Sequence, residues 1–192
     1  MSANFVEELV GEYYKAKGYL VNVNYWFPFT STRTRKQNGK QQEYQARSWS
    51  DIDVLAIGEK ELLVIQVKAI INEPKAADKI SDFFKKTEKF LKEGKAPGME
   101  DSIDWWTKGK KIKNIVVYEF YSPPKYINQL KTAGIDVYLF SEFFEKIIKN
   151  SDKREGFKEE NATMRMIHFL NHNKYLNLNS IAKKNVKRNS LP

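Results

Sequence analysis

The first apolar residues of the chain recur at the spacing of an amphipathic helix. The residues that share this spacing are Val6, Leu9, Val10 and Tyr13. Gly18 follows as a helix stop signal, and β-branched and aromatic residues then alternate with polar ones. This pattern predicts a helix over residues 3–17 and a strand over residues 19–27.

Two apolar runs flank a short polar turn further along the chain. The runs cover residues 51–57 and 61–70, and the turn at 58–60 reads Gly-Glu-Lys. Such an arrangement is typical of a β-hairpin. The preceding stretch 30–50 is polar and has no clear period, so it is predicted to be a loop with an irregular strand near residues 44–47.

The second half of the chain alternates helical and strand patterns. The predicted elements are a helix at 74–92, a loop at 94–109, a strand at 114–121, a helix at 124–134, a strand at 135–141 and a helix that Ser141 caps and that ends near residue 150. The order α-β-β-β-α-β-α-β-α predicts one α/β domain with a mixed sheet. We expect this domain to cover residues 1–150, and a helical, basic extension with a helix at 159–173 to cover residues 151–192.

Composition excludes several classes of site and location. The chain has no cysteine, which excludes disulfides, zinc–thiolate sites, iron–sulfur clusters and cysteine nucleophiles. It has no run of 18 apolar residues and no secretory signal pattern. An intracellular, cytoplasmic protein that does not insert into a membrane is therefore expected.

The net charge of +9 comes from two segments. Segment 30–47 holds five basic residues against one acid, and segment 174–192 holds five basic residues and no acid. Clustered cations attract phosphates and release counterions, so a polyanion such as DNA is the expected partner, although anionic membranes attract similar patches. The predicted nucleic-acid contacts are Arg33, Arg35, Lys36, Lys40, Arg47, Lys183, Lys184, Lys187 and Arg188. Trp26, Tyr44 and Trp49 lie near enough in sequence to add stacking.

Polar residues interrupt the predicted hairpin at its open end. Pairing Ile57 with Leu62 extends to a pairing of Asp53 with Gln66, and then of Asp51 with Lys68. Cross-strand partners point to the same side of a sheet, about 5 Å apart at Cβ. A carboxylate, an amide and an ammonium are thus expected on one patch, and a plain salt bridge between Asp51 and Lys68 is the structural alternative.

These residues form a known pattern. It consists of Asp53, a β-hairpin and Gln66-Val67-Lys68, preceded by a helix that bears Glu7 and ends in Gly18-Tyr19. The pattern resembles the PD-(D/E)XK nuclease superfamily, most closely the Mrr-type endonucleases with a Q-x-K motif, and secondarily the archaeal Holliday-junction resolvases. The chain departs from it in two ways: Ser50 or Ile52 stands where the motif proline would be, and Gln66 replaces an acid.

The resemblance implies a restriction-endonuclease-like, three-layer core with a central mixed β-sheet flanked by helices. It also implies a Mg²⁺ or Mn²⁺ site with Asp53 as the main ligand, Gln66 as a neutral oxygen ligand and Val67 as a carbonyl ligand. Lys68 would orient or deprotonate the attacking water, and Glu7 would hold a metal-bound water or a second ion.

Two positions in this assignment have alternatives. Glu8 is the second choice for the role of Glu7, since about 100° of helix rotation separates the two. Asp51 is the alternative to Asp53, although Asp53 begins its strand as the family's acid does.

The resulting expectation is a metal-dependent DNA endonuclease. A structure-specific junction resolvase is an alternative, and a homodimer is expected in that case because two cuts need two sites. A catalytically inactive DNA-binding protein on the nuclease fold is the other alternative, because Gln66 removes one charge from the metal site.

Overall fold

The structure is a computed structural model that describes residues 2–37, 40–94, 103–151, 165–167 and 170. The helices are α1 Ser2–Ala16, α2 Pro74–Glu93, α3 Asp104–Thr107, α4 Pro124–Thr132 and α5 Phe140–Ser151. The strands are β1 Leu20–Gln37, β2 Lys40–Ile57, β3 Glu61–Lys68, β4 Lys111–Tyr118 and β5 Asp136–Leu139. Most of the predicted helix 159–173, and the basic tail with Lys183, Lys184, Lys187 and Arg188, lie outside the described residues.

The strands form one mixed sheet in the order β1-β2-β3-β4-β5. The pairs β1–β2 and β2–β3 are antiparallel. The pairs β3–β4 and β4–β5 are parallel. Parallel neighbours need a crossover connection, which α2 and α4 supply. The predicted α/β class with a mixed sheet is confirmed.

Helices cover both faces of this sheet. Apolar residues of α2 and α4 share one buried cluster with Phe27, Ile52 and Leu55. Those of α1 and α5 share a second cluster with Val54 and Ile65. The described part of the chain is therefore compatible with three layers, with the sheet in the middle.

Helix α1 follows the predicted apolar period. Val6, Leu9, Val10 and Tyr13 are all buried. Gly18 has a φ of 87°, a left-handed conformation that glycine adopts without steric cost, and it turns the chain from α1 into β1. The predicted boundary between the first helix and the first strand is confirmed to within about two residues.

The predicted loop at 30–50 is wrong. Strands β1 and β2 are each 18 residues long and pair continuously from Phe29↔Ser48 to Gln37↔Lys40, so the segment is a two-stranded ribbon. Its outer residues are polar and exposed on both faces, which leaves no hydrophobic period to detect. The overlooked signals are the alternating threonines at 30–34 and the Asn-Gly pair at 38–39, a typical hairpin turn sequence.

The predicted loop at 94–109 is also partly wrong, because the short helix α3 lies within it. Thr107 closes this turn through its side-chain hydroxyl, which donates to the Ile103 carbonyl at 3.2 Å. A hydroxyl bond of this kind satisfies a local carbonyl, and it is difficult to anticipate from periodicity.

Candidate active site

The β2–β3 hairpin has the predicted register. Ile57 pairs with Leu62, and Leu55 pairs with Val64. The main-chain ladder continues to Val54↔Ile65, the last pair before the polar end of the hairpin. The predicted pairing is confirmed over this stretch, and it brings the polar residues that follow to the same end of the sheet.

The β1–β2 ladder is interrupted at the same point. Its register runs from Leu20↔Ile57 to Gln37↔Lys40 but omits the pair Asn24 and Asp53. Asn24 has a φ of 57°, a left-handed conformation that asparagine tolerates better than most residues. Asp53 thus lies where β2 leaves its regular pairing with both neighbouring strands.

This interruption changes which face of the sheet each residue covers. Val54 packs in the cluster with α1, whereas Ile52, two residues earlier, packs in the cluster with α2. Residues two apart in a regular strand point to the same side. The irregular backbone at Asp53 therefore reverses the alternation of side chains between the two faces. This reversal was not predicted from the sequence. The available signal was Asn24, which stands within an otherwise alternating strand.

The Asp53 carboxylate is the centre of a buried polar cluster. Its Oδ2 accepts a hydrogen bond from the Val67 main-chain amide at 2.6 Å and lies 3.4 Å from the Lys68 Nζ. Its Oδ1 accepts a hydrogen bond from the Gln66 Nε2 at 3.1 Å. The predicted meeting of Asp53 with Gln66 is confirmed. The alternative salt bridge of Lys68 with Asp51 is wrong, since Lys68 pairs with Asp53 instead.

Asp51 contributes through its main chain. Its carbonyl accepts a hydrogen bond from the Gln66 Nε2 at 3.0 Å. The Gln66 amide therefore bridges the Asp51 carbonyl and the Asp53 carboxylate, which holds its orientation. The sequence did not indicate this role of Asp51, because every residue has a main-chain carbonyl and the residue type does not show which one accepts a hydrogen bond.

Helix α1 brings Glu7 to the same cluster. Glu7 is buried, while Glu8 is exposed. Burial raises the pKa of Glu7, the charge of Asp53 raises it further, and Lys68 lowers it. Of the two glutamates considered for this position, Glu7 is therefore the one that faces the site.

Both buried carboxylates of the cluster have a raised pKa. Burial also raises the pKa of Asp53, and the Lys68 ammonium and the Val67 amide lower it in part. Lys68 is itself 36% exposed, so water shares its charge. A cation bound beside these carboxylates would favour their charged forms and lower both pKa values.

The donor atoms fit a magnesium or manganese ion. Carboxylates of Asp53 and Glu7, the amide of Gln66 and the carbonyl of Val67 are all oxygen donors, which Mg²⁺ prefers. Ligation by the Gln66 oxygen requires its amide to turn over, because its nitrogen now faces Asp53. Within the described residues, no group of three or more His, Cys, Asp or Glu is arranged to hold a metal, so a metal here would also need the amide and carbonyl oxygens.

The five basic residues of segment 30–47 lie on the ribbon. Arg33, Arg35, Lys36, Lys40 and Arg47 are all exposed. The ribbon extends from the same two strands that carry Asn24 and Asp53. The structure therefore connects this part of the basic charge directly to the site, while the basic tail lies outside the described residues.

A cleft of about 490 Å³ adjoins the site at the carboxyl ends of β4 and β5. Glu119 lines this cleft, and its main-chain amide donates to the Lys68 carbonyl. Its Oε1 is buried with no hydrogen-bond partner in the structure. Glu119 is thus next to Lys68 in the sheet, at the edge of the candidate site.

Comparison with known proteins yields no relative. No family model, curated protein or solved structure matches the chain. Among the described residues, no helix is long and apolar enough to cross a membrane. The resemblance to the nuclease superfamily therefore depends on the motif residues and on the geometry described above.

Proposed function

We propose that the protein is a metal-dependent DNA endonuclease with a restriction-endonuclease-like core. The observation that carries the proposal is the cluster around the Asp53 carboxylate. Residues from β2, β3 and α1 meet there, and each belongs to the motif that suggested the nuclease. The α/β architecture with a mixed sheet between helices is compatible with such a core.

The roles of the residues follow from their positions. A bound Mg²⁺ or Mn²⁺ supplies Lewis-acid activation of water and neutralises charge on the phosphate. Asp53 is the proposed main ligand of this ion, and the Gln66 side-chain oxygen and the Val67 carbonyl are the other proposed protein ligands. Lys68, with its ammonium on the same side as Asp53 and open to solvent, orients the attacking water and stabilises the charge that develops on the phosphate. Glu7 orients a metal-bound water from the helix side.

The exposed ribbon supports DNA as the substrate. Its cations are exposed and clustered, with Glu43 the acid among them in segment 30–47. Such a surface binds phosphates in a salt-dependent way without reading sequence. The reaction is therefore phosphodiester hydrolysis on a DNA held by its backbone.

One observation favours a second candidate, a DNA-binding protein without turnover. Gln66 stands where the motif has an acid, and its amide nitrogen already satisfies Asp53. If this bond persists with DNA bound, the site lacks one metal ligand. The ribbon would then be the functional part of the molecule.

Cleavage of a supercoiled plasmid and of a synthetic four-way junction tests the proposal. Wild type and Lys68→Ala are compared with Mg²⁺, Mn²⁺ or EDTA, and Lys85→Ala is the matched control, because Lys85 is 78% exposed on α2. We expect metal-dependent cutting that Lys68→Ala lowers by about 100-fold or more and Lys85→Ala leaves unchanged. Salt-sensitive DNA binding without any cutting would replace the proposal by the second candidate.

A further inference from the structure

Three large aromatic side chains on β1 and β2 are exposed to water. Trp26 is 60% exposed, Trp49 is 52% exposed and Tyr44 is 40% exposed. Trp26 pairs with Asp51, and Trp49 lies two residues from Asp51 on the same strand. Since residues two apart on a strand share a face, both tryptophans lie on one face and Tyr44 lies on the other.

The two faces of the ribbon differ in charge. The face of Tyr44 also carries Arg33, Arg35 and Lys40, and within residues 29–48 it has no acid. The face of the tryptophans carries Lys36 and Arg47 together with the acids Glu43 and Asp51. The Arg47 guanidinium lies 4.8 Å from the centre of the Trp49 ring. One face is therefore suited to bind phosphates, and the other, whose charges balance, presents flat apolar rings with Arg47 beside them.

The two tryptophans lie within four residues of Asp53 along β2 or opposite it on β1. Trp26 lies opposite Asp51, two residues from Asp53, a distance of about 7 Å along the strand. Trp49 lies four residues from Asp53, which corresponds to about 13 Å. Both indoles therefore lie near the phosphate that the nuclease function would place at Asp53.

We propose that Trp26 and Trp49 form a stacking surface for unpaired bases, so that the substrate contains single-stranded DNA beside the bond to be cleaved. The proposal rests on the proposed nuclease function, because it takes the phosphate at Asp53 as its reference. An indole can stack only on a base whose face is free, and bases within a duplex already cover each other. Any unpaired base can stack on the exposed indoles and cover them, so this contact needs no particular sequence.

Charge disfavours a second copy of the chain as the occupant of this surface. Segment 30–47 has five basic residues against one acid, so two ribbons repel each other. A DNA strand supplies the opposite charge to the ribbon together with aromatic rings for the indoles.

Binding measured in EDTA separates stacking from cleavage. The probes are a fluorescein-labelled 12-mer of thymidylate and a labelled duplex hairpin, followed by fluorescence anisotropy with the full-length protein. The test variant is Trp26→Ala/Trp49→Ala, the matched control is Tyr44→Ala on the opposite face, and Trp26→Phe/Trp49→Phe tests rescue by another ring. Circular dichroism melting curves verify that each variant folds.

We expect a selective effect on the unpaired strand. Each tryptophan removed should weaken thymidylate binding at least about fivefold, so the double variant binds at least about 25-fold more weakly. Duplex binding should change less than about twofold, the phenylalanine variant should bind thymidylate nearly as well as wild type, and Tyr44→Ala should have no selective effect.

Other results overturn the stacking surface. They are an unchanged affinity for thymidylate, an equal loss on thymidylate and duplex, or a loss of self-association in sedimentation with DNA binding intact. A protein that cuts no DNA but shows the selective loss keeps the stacking surface and loses the nuclease proposal. A protein that cuts DNA with metal, and whose tryptophan variant binds and cuts branched DNA like wild type, keeps the nuclease and loses the stacking surface.

Discussion

The Asp53 carboxylate accepts a hydrogen bond from the Val67 main-chain amide at 2.6 Å, at the point where β2 and β3 stop pairing main chain to main chain. A side chain thus supplies the acceptor for a strand amide that would otherwise be unpaired. This bond holds the carboxylate against β3, where the Lys68 ammonium lies 3.4 Å from it. Because an unsatisfied buried amide is costly, the hairpin itself enforces the position of Asp53.

The two aspartates of the hairpin should differ in their effect on cleavage. Asp53→Asn removes the charge at the centre of the cluster and should lower metal-dependent cleavage by about 100-fold or more. Asp51→Asn keeps the main-chain carbonyl that accepts from Gln66, so it should lower cleavage less than about tenfold. Plasmid cleavage rates at saturating Mg²⁺ measure the difference. The reverse order would identify Asp51 as the metal acid.

Replacing the Gln66 amide by an acid should lower the stability of the metal-free protein and strengthen metal binding. Gln66→Glu places a carboxylate against the Asp53 oxygen, now 3.1 Å from the Gln66 nitrogen. In EDTA we expect the free energy of unfolding to fall by about 1–3 kcal/mol, because two acceptors then face each other in a buried position. Mg²⁺ should restore stability to the variant more than to wild type.

The control for this substitution is Gln129→Glu. Gln129 donates from Nε2 to the Asp78 carboxylate at 2.8 Å on the exposed surface. Water screens the new repulsion there, so the loss should stay below about 1 kcal/mol and should not respond to Mg²⁺. Equal responses of the two variants would contradict the metal assignment at Gln66.

The buried Glu7 predicts a dependence of stability on pH. Burial and then the charge of Asp53 raise its pKa above the ordinary value of 4.5. The folded state therefore binds the Glu7 proton more tightly than the unfolded state does. The protonated Glu7 keeps its full contribution to stability at low pH, and this contribution is lost as the pH rises through the folded-state pKa. Glu7→Gln removes the loss, so its urea midpoint in EDTA should exceed that of wild type near pH 8 and match it near pH 4.

Glu8→Gln is the control for this measurement, because Glu8 is exposed on the same helix. Its effect should stay within about 0.5 kcal/mol at both pH values. A Glu7→Gln variant that is less stable than wild type near pH 8 would show that the ionised carboxylate is well compensated in the folded protein.

The ribbon arginines should determine how steeply DNA binding depends on salt. Arg33→Gln/Arg35→Gln removes two exposed cations from the face that has no acid. The slope of log K against log salt for duplex DNA should decrease by about 2. Lys85→Gln/Lys89→Gln on α2, whose side chains are 78% and 74% exposed, should leave the slope unchanged. An equal decrease in both variants would exclude the ribbon as the specific phosphate contact.

The end of α1 depends on one backbone conformation. Gly18 has a φ of 87°, and nothing lies within 4 Å of a Cβ built there. Gly18→Ala should therefore cost about 1–2 kcal/mol through backbone strain alone, as measured by urea unfolding. Gly18→Asn should cost less, since asparagine adopts this conformation more readily. Equal costs would indicate a steric origin.

Local patterns determined much of this protein. The apolar period of α1 and the register of the β2–β3 hairpin follow from residue spacing, because side chains three or four apart on a helix, or opposite each other on a hairpin, must share a face. The same spacing brought Asp53 and Gln66 together. These relationships span few residues, so the sequence is sufficient to predict them.

Only the tertiary structure decided the rest. The ribbon at 30–50 has polar residues on both faces, so its extended form depends on cross-strand hydrogen bonds that residue type does not reveal. The interruption at Asn24 and Asp53 reverses the alternation of β2, and it pairs Lys68 with Asp53 rather than with Asp51. The position of Glu7 depends on how α1 packs on the sheet. Contacts of this kind join residues that are distant in sequence, and their geometry is set by the packing of the whole core.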